Sequence, residues 1–65
     1  MGLFDGQLKS FAKRFCDYLD GRVKSYCEAA EDASNGGNAY LKAHNLTIAS
    51  VLNEVSDALK HVAEL

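Results

Sequence analysis

From Ala39 to Leu65 the apolar residues run along two interleaved lines. Leu41, Ile48, Val55 and Val62 recur every seventh residue, and Asn45, Leu52 and Leu59 fall between them at alternating steps of three and four. This is the spacing of a coiled-coil seam. It predicts a helix over about 39–64 with Leu41, Ile48, Leu52, Val55, Leu59 and Val62 as an oligomer seam. Tyr40, Val51, Ala58 and Leu65 widen the apolar arc beyond that seam. So wide an arc calls for two neighbours, one from the same chain and one from another subunit.

The first half of the chain carries a line of its own: Phe4, Leu8, Phe11, Phe15, Leu19, Val23, Tyr26, Ala30 and Ala33. Asp20-Gly21 interrupts it with a turn signal. A turn would reset the helical phase, yet Phe4, Phe15 and Tyr26 stay eleven residues apart, as do Leu8, Leu19 and Ala30. One long helix over about 3–33 is therefore predicted, kinked or weakened at Gly21, where glycine costs about 1 kcal/mol relative to alanine. Two helices meeting at Gly21 are the alternative. An eleven-residue period suits a nearly straight helix and a seven-residue period a left-handed supercoil, so the two helices differ in preferred coiling.

Ser34-Asn35-Gly36-Gly37-Asn38 separates the two patterns, with glycine for a left-handed C-cap and Asn38 as an N-cap. A connection this short makes the helices antiparallel neighbours. The expected fold class is all-α: a helical hairpin, one domain over residues 1–65, with arms of roughly 45 Å and 39 Å at about 1.5 Å per residue. Two arms cannot enclose a core, so assembly into a helical bundle is expected, a four-helix bundle from two copies or a ring from more.

Size strengthens that expectation. A chain of 65 residues rarely builds a core worth more than about 3–5 kcal/mol without a staple or a partner. Cys16 and Cys27 are the only cysteines. On one continuous helix they lie about 16 Å apart, too far for a disulfide, and are expected to be reduced thiols. No metal-ligand spacing is present, and no cofactor is expected.

The net charge of −2 is too small for a polybasic nucleic-acid binder, but it is unevenly spread. Residues 1–24 carry +2 and residues 25–65 carry −4, a complementarity suited to antiparallel packing. The N-terminus lacks the apolar stretch of a signal peptide and no segment is long and apolar enough to span a bilayer, so a cytoplasmic location is expected. Phe4, Phe11 and Phe15 beside Lys9, Lys13 and Arg14 could describe a membrane-surface helix. The apolar phase runs on past residue 15, however, and assigns the phenylalanines to a bundle.

Few residues suggest chemistry. Arg22 falls inside an apolar arc, where it either snorkels, pairs with a carboxylate, or lines an intersubunit pocket for an anionic group. Tyr40, Lys42, His44 and Asn45 cluster at the start of the second helix. They either set register, as a seam asparagine does, or form a small polar pocket in which tyrosine stacks on a planar ligand. No nucleophile stands at a suggestive spacing from a base and no glycine loop could cradle phosphate, so no enzymatic activity is expected. The function expected is that of a homo-oligomeric protein-interaction module, an adaptor or an inhibitor of the virus-encoded kind, binding itself and another protein. One alternative is an oligomer that binds a small anionic ligand such as a nucleotide through Arg22, Tyr40, Lys42, His44 and Asn45. A further one is an RNA-binding hairpin dimer using Lys9, Lys13, Arg14 and Lys24.

Overall fold

The computed structural model describes residues 5–65, so Phe4 and the predicted helix start at residue 3 lie outside the described residues. Helix α1 spans Gly6–Asn35 and helix α2 spans Ala39–Val62. They pack antiparallel as a rod whose Cα atoms extend over 50 × 14 × 10 Å. Helix α1 begins at Asp5, whose carboxylate accepts the Leu8 amide at 2.8 Å, and α2 at Asn38, whose side-chain oxygen accepts the Leu41 amide at 3.0 Å. Each cap satisfies one of the amides that a helix start leaves without a partner.

Helix α1 ends two residues beyond the predicted boundary because the cap needs only the residues 36–38. Gly37 takes a positive φ of 77°, its amide donates to the Ser34 carbonyl, and the Asn38 amide donates to the Ala33 carbonyl at 2.8 Å. This is the Schellman arrangement, and Asn38 both closes it and opens α2. The same arrangement ends α2, where the Glu64 amide donates to the His61 carbonyl and the Leu65 amide to the Lys60 carbonyl. Glu64 there holds the left-handed conformation, with φ at 59°.

Gly21 does not break the first helix. Helix α1 runs through it, and the Ser25 hydroxyl donates to the Gly21 carbonyl one turn back at 3.1 Å. The preserved apolar phase outweighed the local turn signal, since a single interior glycine costs less than the packing of a 30-residue helix returns.

Contact between the helices does not follow the line of largest side chains. The inner line of α1 is Ala12, Cys16, Leu19, Val23, Tyr26, Ala30 and Ala33, and that of α2 is Asn45, Ala49, Leu52, Ser56 and Leu59 with the capping Ala63, all buried or half-buried; Lys9, Asp20, Ala29, Ile48 and Lys60 are half-buried beside them. Both sets step by three and four, so Ala49, Ser56 and Ala63 recur every seventh residue. The eleven-residue line read for α1 is thus a composite. Its first members, Leu8, Phe11 and Phe15, are exposed, and its later members from Leu19 onward face α2. Small side chains on the inner lines let the two backbones approach closely and leave little volume between them to fill. The consequence is a thin core, in which Leu19 is the only leucine, isoleucine, valine or aromatic residue classed as buried among the described residues.

Candidate functional site

The register of the hairpin follows from its cross-links. The Cys16 thiol meets the Ser56 carbonyl at 3.7 Å, and Asp20 accepts from both the Ser56 hydroxyl at 2.7 Å and the Lys60 ammonium at 2.9 Å. Lys9 approaches Glu64 at 3.9 Å. The hydrogen bonds from Lys60 and Ser56 stabilise the carboxylate and hold the Asp20 pKa below its ordinary value, while the hydrogen bond to Asp20 raises that of Lys60. A shallow cleft of about 350 Å³ lies alongside, lined by Lys13, Cys16, Asp17, Asp20, Lys60 and Leu65. Its central carboxylate is already satisfied by Ser56 and Lys60, so this cluster acts as an interhelical clamp.

Each inner line has neighbours one residue before and one residue after it, and these define the two broad faces of the hairpin. A step of one residue turns a helix by about 100°. Because α1 and α2 run in opposite directions, the same step in both helices lands on the same side of the pair. One residue after the inner lines come Lys13, Asp17, Asp20, Lys24 and Glu31 on α1, and Ser50, Asn53, Asp57, Lys60 and Glu64 on α2. That face is polar, with Leu46 on it and Leu65 at the end of its cleft.

One residue before the inner lines come Leu8, Phe11, Phe15 and Tyr18 on α1, and Leu41, Ile48, Val51, Val55, Ala58 and Val62 on α2, which form the apolar part of a face that they share with Arg22, Ser25, Ala29, Asp32 and His44. Excluding half-buried Ile48 and small Ala58, these apolar residues are each between 41% and 65% exposed. Phe11 and Phe15 stack with centroids 6.5 Å apart, and Tyr18 lies 6.3 Å from Phe15. Large apolar side chains alone on such a face leave on the order of 800 Å² exposed, taking roughly 150–250 Å² for a whole aromatic side chain. An ordinary monomer's largest apolar patch is about 300–600 Å².

The predicted seam residues divide between these environments. Ile48, Leu52 and Leu59 are half-buried, whereas Leu41, Val55 and Val62 stand out on the apolar face. Within one hairpin Arg22, Tyr40, Lys42, His44 and Asn45 do not converge. Arg22 lies level with Leu52, about 18 Å along the rod from Tyr40 by the helical rise. Its guanidinium sits 5.2 Å from the Tyr26 ring centroid and donates to the Tyr26 hydroxyl at 3.4 Å. Tyr40 and His44 stack at 6.2 Å with Tyr40 77% exposed, Lys42 is exposed, and Asn45 is half-buried on the inner line of α2. The feature that sequence reading missed was the second line on each helix. Its signal was the pairing of Ala12 with Phe11, Cys16 with Phe15, Ala49 with Ile48 and Ser56 with Val55, a small residue directly after a large one.

Among the described residues no group of three or more His, Cys, Asp or Glu side chains could hold a metal ion, and no helix is long and apolar enough to cross a membrane. No protein family, curated protein or solved structure matches the chain.

Proposed function

We propose that the protein is a small homo-oligomeric interaction module of the cytoplasm, acting by occupancy and not by turnover. The apolar face of the hairpin is its oligomer seam, and the polar face and outer flanks are left to engage another protein. One observation carries this reading: the hairpin gathers most of its exposed large apolar side chains on one broad face, while the opposite face is polar. A face of this size matches the roughly 800 Å² per partner of a standard protein interface. The thin core points the same way, since a chain this short gains the rest of its stability from association.

Native mass spectrometry of the purified full chain, together with Phe15→Glu and Val55→Glu variants, tests the reading. The expected result is a dimer or larger assembly that dissociates in both variants. A monomeric wild-type chain that stays helical at micromolar concentration would overturn it. The alternative as a binder of a small anionic ligand draws support from Arg22, which has no carboxylate partner among the described residues. In that case the purified oligomer would carry extra mass lost on Arg22→Ala or Tyr40→Ala substitution, with assembly intact.

A further inference from the structure

Given self-association through the apolar face, the distribution of bulk on that face decides how the two copies are arranged. Two-fold symmetry allows two ways to apply the face to itself with the helices nearly antiparallel. An axis along the rod puts both interhelical turns at the same end and lays α1 over the partner's α2. An axis across the rod puts the turns at opposite ends and lays α1 over the partner's α1 and α2 over the partner's α2.

The outer line of α1 is not uniform. Leu8, Phe11, Phe15 and Tyr18 occupy the half remote from the turn, and Arg22, Ser25 and Ala29 continue the line toward the turn. With the turns at the same end, Phe11 and Tyr18 lie over the partner's Val62 and Val55, bulk on bulk, while toward the turn Ser25 and Ala29 lie over the partner's Ile48 and the partner's His44, so the layers are unequal along the bundle. With the turns at opposite ends, Phe15 lies over the partner's Ser25 and Phe11 over the partner's Ala29, so large meets small in these layers, and Leu8 reaches the partner's exposed Asp32 at the end of the seam. Helix α2 supplies matching layers, with Val55 against the partner's Val55 and Ile48 against the partner's Val62.

Arg22 gives an independent argument. In the same-end arrangement it faces the partner's Val51 and its guanidinium is covered without gaining a partner, which is costly. In the opposite-end arrangement it comes beside the partner's Tyr18, whose ring is 62% exposed in a single hairpin. The guanidinium then lies between two tyrosine rings, its own Tyr26 and the partner's Tyr18, with cation–π attraction from both. On the flank of the same seam, Arg14 comes level with the partner's Glu28. Against this, Glu54 meets the partner's Glu54 near the axis, an exposed repulsion that salt screens.

We infer that the protein is a two-fold dimer of hairpins with their turns at opposite ends, in which Phe11 and Phe15 of each α1 pack over the small residues near the partner's turn. The two-fold axis passes close to Val55. Disulfide trapping in the full chain, with exposed Cys27 replaced by serine, distinguishes the arrangements. Val55→Cys should link to itself in most chains under mild oxidation, and a mixture of Tyr18→Cys and Arg22→Cys chains should form the mixed dimer. In the same-end arrangement the two Val55 positions lie diagonally across the bundle, and a mixture of Phe15→Cys and Ala58→Cys chains would link instead. A dimer by native mass spectrometry that gives this last link, or neither of the first two, overturns the arrangement while sparing self-association. A monomer overturns both.

Discussion

The Ser56 hydroxyl donates to the Asp20 carboxylate at 2.7 Å across 36 residues of sequence, joining the fully buried centre of α2 to the half-exposed polar face of α1. Lys60 takes the other oxygen of the same carboxylate at 2.9 Å. Asp20 thereby accepts side-chain donors from two successive turns of α2, and it fixes the hairpin's register. Replacing Asp20 with alanine is expected to leave the Ser56 donor buried without its acceptor and to lower the urea midpoint. The loss should exceed that from Lys60→Met, because the lysine is half-exposed and can turn to water.

The same pair sets a pH dependence. The Asp20 pKa is lowered in the folded protein, so its contribution is present above the ordinary aspartate range and is lost as pH falls through about 4 toward the folded value. The Lys60 pKa is raised, so its contribution is present below the ordinary lysine range and is lost as pH rises past about 10.4 through the folded value. Melting temperatures measured from pH 2 to 6, roughly the carboxylate range, should fall less steeply for Asp20→Asn than for the wild type. Equal slopes would show that the pairing does not contribute in solution.

The small inner line should resist enlargement. Ala49 and Ser56 are buried between the helices, and leucine at either position should cost about 1–3 kcal/mol by chemical denaturation. Ser56→Ala keeps the volume and removes a hydroxyl whose net worth is about 1 kcal/mol. Tolerance of Ala49→Leu without loss of stability would show that the helices can separate freely.

Gly21 offers a gain. A methyl group placed there meets nothing within 4 Å in the hairpin, so Gly21→Ala should stabilise the protein by about 0.5–1 kcal/mol. Denaturation followed by circular dichroism measures it, and a loss would mean that another backbone approaches this point.

The two Schellman ends respond in opposite senses. Gly37 holds a φ of 77° and Glu64 a φ of 59°; a left-handed residue other than glycine costs about 1–2 kcal/mol. Gly37→Ala should therefore destabilise and Glu64→Gly stabilise, each by about 1 kcal/mol. Loss of the long Lys9–Glu64 contact subtracts little, because both side chains are exposed to water.

The cysteines should separate by reactivity. Both are free, with Cys27 exposed and Cys16 buried against α2. A thiol reagent followed by mass spectrometry is expected to modify Cys27 at once and Cys16 only as the hairpin opens. Simultaneous modification would show that the helices part readily.

Much of this architecture is legible in one dimension. The helical periods, Asn38 as a cap, the glycines of the turn and the continuity of α1 past Gly21 all depend on residues within a turn or two of one another, and short-range sterics and backbone hydrogen bonding determine them. The two-sided division of the apolar residues is not local. Leu41, Val55 and Val62 look like the natural seam because they are the largest side chains at heptad spacing, yet the hairpin closes on Ala49, Ser56 and Ala63. Which of two adjacent lines faces inward depends on the other helix: α1 opposes α2 with Ala12, Cys16 and Ala30, and small against small brings the backbones closest. Likewise only the closed hairpin sets Arg22 far along the rod from Tyr40, whereas its stacking on Tyr26 one turn on is local. The sequence by itself determined two helices, the turn between them and their antiparallel course. Only the tertiary structure decided which face each helix turns inward, because that choice depends on the fit between side chains tens of residues apart.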